Sequence, residues 1–384
     1  MQLSTDSESK SEQTHVKLQN IIFYCLSVFI LTRVLNFVEY YVITHFVHFE
    51  GFQFSSSFFI NICRWDCYWY LDIINHGYQL LPNPMDGSLN EGRANWAFWP
   101  LFPFLINALS WLGSPLVVAY VLNQSLLFVS TILLFNYISK SYSIRCAQAG
   151  VLFLCVGSEN IYFMSMYTES LFLFLSLLSI CLIQRHKSWW AAISCAFLGA
   201  TRINGFFMSI VLIFNEFNQK PINLSRVLKI SIMFIISLSG LLTFMLFLKF
   251  HVGDSLAFYH IQTKWSRLNF QNISSPITAL KALLNSGFYL DRIMCSLSLV
   301  VTLWLVSVRR WNDLLFFVMC VCVALISLNL KSYTRFFFGW YPVYLFLAVI
   351  TERSRALQYI LIFIFLGLHF TMLFFWLFNS FYAY

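Results

Sequence analysis

The sequence predicts an all-α integral membrane protein, a polytopic bundle of about nine to eleven transmembrane helices with amphipathic helices in its first external loop. Three observations carry this. Of 384 residues, 59% are hydrophobic, 19% aromatic and only 10% charged, against roughly 25% charged in soluble domains. Apolar runs near bilayer length recur along the chain with short polar links between them. The basic residues cluster in those links: Lys140 with Arg145, Arg185 with Lys187, Arg309 with Arg310, and Arg353 with Arg355. Forty-three Phe would be an aggregation hazard on a water-facing surface, so a soluble enzyme, a nucleic-acid module, a disordered chain and a small disulfide scaffold are all set aside. The formal charge of +8 follows from basic cytoplasmic loops and gives no reason to expect nucleic acid.

In chain order, residues 1–18 are polar, without an apolar period, and read as a disordered cytoplasmic tail. The run from Ile21 to Val47 is too long and too rich in Tyr and Phe for a signal-peptide core and is the first membrane helix. Arg33 and Glu39 within it must face protein, because a lipid-facing charge is costly. Residues 48–95 form the first external loop and carry Arg64, Asp66, Asp72, Asp86, Glu91 and Arg93. Apolar segments follow at 97–112, 115–137, 147–165, 169–184, 189–216, 228–250, 288–308, 312–329, 338–350 and 357–378, with a second external loop at 251–287. The 97–112 segment is short and holds Pro100 and Pro103, and 189–216 is interrupted by Thr201-Arg202-Ile203-Asn204-Gly205, so either can be a half-helix. If the basic clusters lie inside, the links 48–95, 166–169, 251–287 and 331–337 share the opposite, lumenal or periplasmic side. No internal repeat is evident, and residues 19–384 read as one membrane domain.

Most of the ten cysteines lie in or beside apolar segments and behave as small hydrophobes. Cys63 and Cys67 read as packing residues too, with a disulfide the lesser alternative; no second cysteine–histidine cluster completes a zinc site.

The informative polar residues fall between the apolar runs. The segment from Arg64 to Tyr78 reads as a helix closed by Gly77, with Asp66, Trp69, Tyr70 and Ile73 on one face. A carboxylate among aromatic rings at a membrane surface is a usable base, and the rings suit a sugar or a lipid. An interfacial helix whose Trp and Tyr belong to the aromatic belt explains the segment equally well when it is taken alone. Ala97 to Pro103 is a rigid aromatic turn that could wall a lipid groove or simply start a helix. Glu169 either favours a helix N-terminus, with Thr168 or Ser170 as its cap, or serves the site with Asp66. Arg202 in the middle of an apolar stretch is either a site residue or a cap on a broken helix. In the second loop, Asp254 or Ser255 can cap a helix on which His260, Lys264 and Arg267 make one basic face, suited to a phosphate or to anionic lipid. Snorkelling explains Arg335 cheaply, and it gains interest only through sharing a face with Asp66 and Lys264.

Several of these motifs match one family in order: Arg64-Trp65-Asp66 with Trp69-Tyr70-Leu71 and Gly77-Tyr78, then Ala97 to Pro103, Tyr167-Thr168-Glu169-Ser170-Leu171-Phe172 and Thr201 to Gly205. Together, over roughly residues 20–350, they resemble the second mannosyltransferase of glycosylphosphatidylinositol (GPI) anchor assembly and its bacterial relatives, in the glycosyltransferase-C superfamily. The segment from Gly253 to Phe258, with Trp265 and Arg267, looks more like the bacterial branch. Trp99 and Ile203 depart from the usual residues, and the stretch from Leu80 to Asn95 lengthens the link between the acidic and proline motifs, so acceptor specificity can differ.

The resemblance implies a glycosyltransferase-C-like helix arrangement and transfer of mannose from a dolichyl- or polyprenyl-phosphate donor to a lipid or glycan acceptor. In a eukaryote that means the endoplasmic reticulum membrane and an α-1,6 linkage on a GPI precursor; in a bacterium it means the inner membrane and a different acceptor. The expected reaction is an inverting displacement with Asp66 as base, oriented by Arg64. Lys264 and Arg267, then Arg202 and Arg335, would stabilise the leaving phosphate, while Glu169 or Asp254 holds hydroxyls. Trp65, Trp69, Tyr70, Asn204 and Trp265 complete the expected substrate-binding set. No metal or other cofactor is expected, since a protein base and a phosphate leaving group need none. A lipid or small-molecule transporter and an accessory subunit of another transferase are the competing classes, and a transferase working with its own accessory subunit stays open.

Overall fold

The computed structural model describes residues 18–47, 53–219, 223–267 and 281–380, except 282, 284 and 328. The expected tail therefore lies outside the described residues up to Leu18, as does part of the second external loop. Every regular element among the described residues is helical, and the chain is a multi-pass membrane protein.

Helix α1 runs from Leu18 to Phe46. Its Arg33 donates to Gln124 Oε1 at 3.3 Å, Cys155 O at 3.1 Å and Asn160 Oδ1 at 2.7 Å, and its Glu39 lies 3.3 Å from His369. Both charges thus turn inward, as the cost of exposing them to lipid requires. The first external loop holds α2 (Phe58–Asn61), α3 (Asp66–His76) and a 3-10 turn at Asn95–Ala97. Then come α4 (Leu101–Ala108), α5 (Pro115–Ser139), α6 (Ile144–Val156), α7 (Asn160–Met164), α8 (Glu169–Gln184) and α9 (Ser188–Gly199). A 3-10 turn at Ile203–Phe206 leads into α10 (Phe207–Phe217), and α11 (Leu224–Val252) follows. The second loop contains α12 (Ala257–His260) and a 3-10 helix at Ile261–Trp265. The chain continues with α13 (Tyr289–Ser307), α14 (Trp311–Ile326), α15 (Tyr333–Gly339), α16 (Tyr341–Thr351) and α17 (Arg355–Leu377).

Among the described residues, α1, α5, α11, α13 and α17 are long and apolar enough to span a bilayer, and α15 with α16, bent by 75°, makes a sixth when the pair is counted as one span. The remaining apolar helices run to 16 residues or fewer. Counting apolar runs overestimates straight crossings here because the runs break. The break at Thr201 to Gly205 was expected, and so was a short helix in the 97–112 run, where α4 spans 8 residues. The others are at Gly157 to Glu159 and at Trp340, where Pro342 cannot donate within a continuous helix. Helix α8 is buried on nearly all sides, so it forms the centre of the bundle rather than facing lipid. It packs on α5 and α9, and α9 packs closely on α11 because Gly240 leaves room for the Ala196 carbonyl that a Cβ would strike.

The polar links gather at two ends. At one, Arg310 donates to Ser141 Oγ at 3.0 Å and Asn312 to Asn215 at 3.2 Å, joining links that carry the basic clusters. At the other, the turns before α3, before α8, after α9 and around α15 converge.

Candidate active site

Asp66 is the first residue of α3, and the backbone just before it explains its direction. Trp65 has φ 44° and ψ −101°, outside the helical region, so the chain turns sharply and helix starts one residue later. The Tyr167 hydroxyl accepts from Asp66 N–H and donates to Arg64 O, both at 3.1 Å. Gly77, at φ +77°, closes the helix as expected.

Tyr167 itself is fixed from α5. Asn123 donates to Ser165 O at 2.6 Å and Tyr167 O at 3.0 Å, and Ser165 Oγ donates to Ile62 O at 2.7 Å. This pins the turn from 165 to 168, after which α8 begins with Glu169. Neither Thr168 nor Ser170 caps that helix through its side chain; Ser170 reaches back to Phe163 O. Glu169 is turned into an ion network.

That network has four members. Arg335 donates from Nη1 to Asp66 Oδ2 at 2.8 Å and from Nε to Glu169 Oε1, which also accepts from Arg202 Nη1 at 2.9 Å. Arg335 and Glu169 are buried, while Asp66 and Arg202 keep partial exposure. The Arg335 guanidinium also lies 4.5 Å from the Tyr167 ring centre and 5.0 Å from that of Tyr162, so aromatic faces and carboxylates together compensate its burial. Helix α15, which carries Arg335, is itself tied down: Asp291 Oδ1 accepts from the Thr334 N–H and hydroxyl, each at 2.9 Å. Arg202 reaches the site because α9 ends and the chain turns at once. Gly205 permits this, since a Cβ there would run into the Leu198 carbonyl.

The network opens on a cavity of about 420 Å³ lined by Asp66, Tyr70, Arg202, Asn204, Arg267 and Arg335, with Phe98, Trp99, Trp265 and Phe336 as aromatic walls. Trp69 backs this wall, stacked on Phe98 at 5.7 Å and edge-on to Trp265 at 5.6 Å. A second, apolar groove of about 700 Å³ lies beyond, between Ile73, Tyr78, Pro103, Phe104, Phe197 and Phe247. Trp99 and Thr201 face the cavity while Pro100 and Ala200 face the groove, and Leu101 N–H bonds Ala200 O at 3.1 Å between them. The Ala97 to Pro103 turn is therefore the partition between the two spaces.

Several expected positions are placed differently. Arg64 donates to Cys63 O at 3.2 Å and Leu377 O at 3.1 Å, so Arg335, not Arg64, meets the Asp66 carboxylate. Trp65 packs edge to face on Trp376 at 4.7 Å. Arg335 does not snorkel; it is buried at the centre of the network. The single basic face of His260, Lys264 and Arg267 does not form, because the helix tightens to 3-10 after His260 and Ser266, at φ +55°, ends it. Asp254 pairs with His260 at 2.7 Å near the surface, and the Lys264 amine stands over Gly92. Cys63 and Cys67 are joined in a disulfide, which corrects their reading as packing residues.

Sequence reasoning also missed Lys331, in the link before α15. Burial, then the charges of Arg267 and Arg93, hold its ammonium below the usual lysine range. Tyr167 was visible only as part of its motif, and nothing local reveals that its hydroxyl bridges to Asp66.

The bundle and this cavity define a class, a multi-pass membrane protein with a carboxylate and three guanidinium groups around one water-accessible space. Residues 49–274, more than half of the chain, match the mannosyltransferase (PIG-V) family, that of GPI mannosyltransferase 2, and the chain belongs to that family. It is a membrane glycosyltransferase that acts on a sugar donor and a lipid-linked acceptor in general terms. No curated protein matches the chain.

Proposed function

We propose that the protein moves mannose from a dolichyl- or polyprenyl-phosphate carrier to a hydroxyl of a lipid-linked or glycan acceptor, in one displacement with inversion. The observation that supports this most is the cavity where Asp66, Arg202, Arg267 and Arg335 meet between aromatic walls. Its volume of about 420 Å³ lies within the roughly 300–1,000 Å³ of small-molecule sites.

In this mechanism the acceptor oxygen attacks the anomeric carbon and the bond from that carbon to the phosphate oxygen breaks. The electron pair leaves on the phosphate, and the hydroxyl proton passes to Asp66. Arg335, shared between Asp66 and Glu169, orients the base. Arg267 and Arg202 meet the phosphate, where bidentate charge-assisted bonds strengthen as its charge develops. Lys264, whose amine stands over Gly92, and Lys331 are not part of the cavity lining and add positive potential only at longer range. Tyr70, Trp99 and Trp265 offer faces to the sugar, and Asn204 a hydrogen bond. The apolar groove behind the partition takes an isoprenoid or acyl chain.

The site belongs on the lumenal or periplasmic side in this reading. The basic clusters at the opposite end support that orientation, and so does a disulfide one residue from Asp66, since disulfides persist in oxidising compartments. In a eukaryote the membrane is the endoplasmic reticulum and the acceptor a GPI precursor; in a bacterium the membrane is the inner one.

The test is to incubate purified protein with radiolabelled polyprenyl-phosphate mannose and a lipid extract of its host, comparing wild type with Asp66→Asn. Label transfer by the wild type alone is expected. Equal transfer by both moves the base elsewhere. Transfer by neither, with donor quality and folding verified, overturns the choice of donor and acceptor or shows that an accessory subunit is required.

A further inference from the structure

The short loop that aims Asp66 is held from three directions. The Cys63–Cys67 disulfide closes a ring around Arg64, Trp65 and Asp66, and both sulfurs are buried. Inside that ring Trp65 adopts a positive φ, a conformation that a residue with a large side chain keeps only when its surroundings enforce it. The surroundings do so. The C-terminal end of α17 grips the loop from one side: Trp376 packs on Trp65, its indole N–H donates to Ile62 O at 2.9 Å, and Leu377 O accepts from Arg64. From the other side the Tyr167 hydroxyl bonds the backbone on both flanks of Trp65, while its ring supports Arg335, the partner of the Asp66 carboxylate.

We propose that the Cys63–Cys67 disulfide and Tyr167 form one brace that holds Asp66 in its reactive direction, so that both are positioning residues for the transfer. The proposal rests on Asp66 acting as base. The physical reason is geometric. The covalent ring and the two hydroxyl bonds act on the backbone at Trp65 itself, so removing either weakens its hold at positive φ even with α17 in place, and relaxation toward an ordinary conformation would swing the start of α3. A base displaced by about 1 Å can lose about 10²-fold in rate. The disulfide and the Tyr167 hydroxyl act on the backbone that aims the base, whereas Arg202 and Arg267 are the groups set to meet the donor phosphate, so loss of the brace lowers kcat and leaves the donor KM nearly unchanged.

The experiment compares wild type, Cys63→Ser/Cys67→Ser, Tyr167→Phe and Asp66→Asn in the mannosyl-transfer assay, each with size-exclusion and thermal-unfolding profiles in detergent. Tyr167→Phe keeps the ring beside Arg335 and removes only the hydroxyl, so it remains informative if the double serine variant fails to fold. Both brace variants should lose about 10-fold to 100-fold in kcat at nearly constant donor KM. Alkylation of denatured wild type should modify eight of its ten cysteines, rising to ten after a dithiol gives two electrons and two protons to the disulfide and is itself oxidised to a cyclic disulfide. Wild-type kcat in folded Cys63→Ser/Cys67→Ser or in folded Tyr167→Phe overturns the brace, as do ten reactive cysteines without reduction. Loss of activity that appears as raised KM overturns the positioning role. Full activity in Asp66→Asn instead removes the base assignment, a result separable from either brace outcome.

Discussion

Two buried carboxylate–arginine clusters stand at opposite ends of the bundle, and they are built from the same residue types. At the end with the basic links, Asp313 Oδ1 accepts from the Tyr137 hydroxyl and, at 2.7 Å, from that of Tyr341, while Oδ2 accepts from Arg310 Nε at 2.7 Å. Both of its oxygens are committed to neighbours. At the other end, one oxygen of Asp66 is held by Arg335, and the side chain borders the cavity; Glu169 Oε2 has no hydrogen-bond partner among the described residues. In the first cluster the carboxylate is saturated, the one open group being Arg310 Nη2 among the described residues, and the arrangement ties α5, α14 and α16 together. The second is under-committed and adjoins space for a ligand. Residue type does not separate a structural carboxylate from a reactive one; unused hydrogen-bonding capacity beside a cavity does.

The sharpest way to break this comparison is Arg335→Met, which removes the shared cation. Asp66 loses its partner and Glu169 one of two, so transfer should be abolished and stability should fall by ~3–5 kcal/mol. A radiolabel-transfer assay and thermal unfolding in detergent measure the two effects together. Wild-type stability in this variant would show that the network carries little of the fold.

A paired substitution then separates the clusters. Asp66→Asn should lower transfer by ~10²–10⁴-fold and leave the unfolding midpoint almost unchanged, because Arg335 keeps Glu169. Asp313→Asn should do the reverse. It leaves Arg310 without its carboxylate, at a cost of about 3 kcal/mol, while activity per folded molecule stays near wild type. If Asp313→Asn lowers kcat as much as Asp66→Asn does, the contrast between the two ends is wrong.

Arg267→Ala probes the wall of the cavity. The expected outcome is a rise in donor KM of about tenfold, as for loss of a charged hydrogen bond, with a smaller fall in kcat. An unchanged KM would place the phosphate elsewhere. The smallest effect belongs to His260→Ala, which breaks an exposed pair with Asp254 away from the cavity and should leave transfer within about twofold of wild type. A large loss there would return Asp254 to the substrate-binding set.

How much of this was legible depended on whether the signal was local. The acidic helix from Asp66 to Gly77 was readable because apolar and aromatic residues recur at helical spacing and a glycine ends it. The break at Thr201 to Gly205 was readable because polar residues interrupt a long apolar run. Arg335 was included among the site cations, but its partnership with Asp66 was not legible, because an arginine at the edge of an apolar run looks the same whether it rises to the headgroups or turns inward. The bend at Trp340 and Pro342 carried a clue, since a proline near that arginine marks a half-helix end. Arg64 was assigned to Asp66 by adjacency in the chain, but a backbone turn at Trp65 sends neighbouring side chains in different directions. The expected basic face failed because three residues at helical spacing coincide only if the helix stays regular, and this one tightens and stops.

Composition and periodicity alone established a helical multi-pass membrane protein, and ordered short motifs established the mannosyltransferase family, because both are properties of residues near one another in the chain. Which carboxylate meets which arginine was decided by tertiary structure alone. Asp66, Glu169, Arg202 and Arg335 come from four separate helix ends, and burying so few charges in an apolar bundle is tolerable only where packing brings opposite signs within hydrogen-bond reach. The disulfide beside Asp66 was decided in the same way, since the backbone that turns at Trp65 sets the Cα atoms of Cys63 and Cys67 5.4 Å apart, within bonding range.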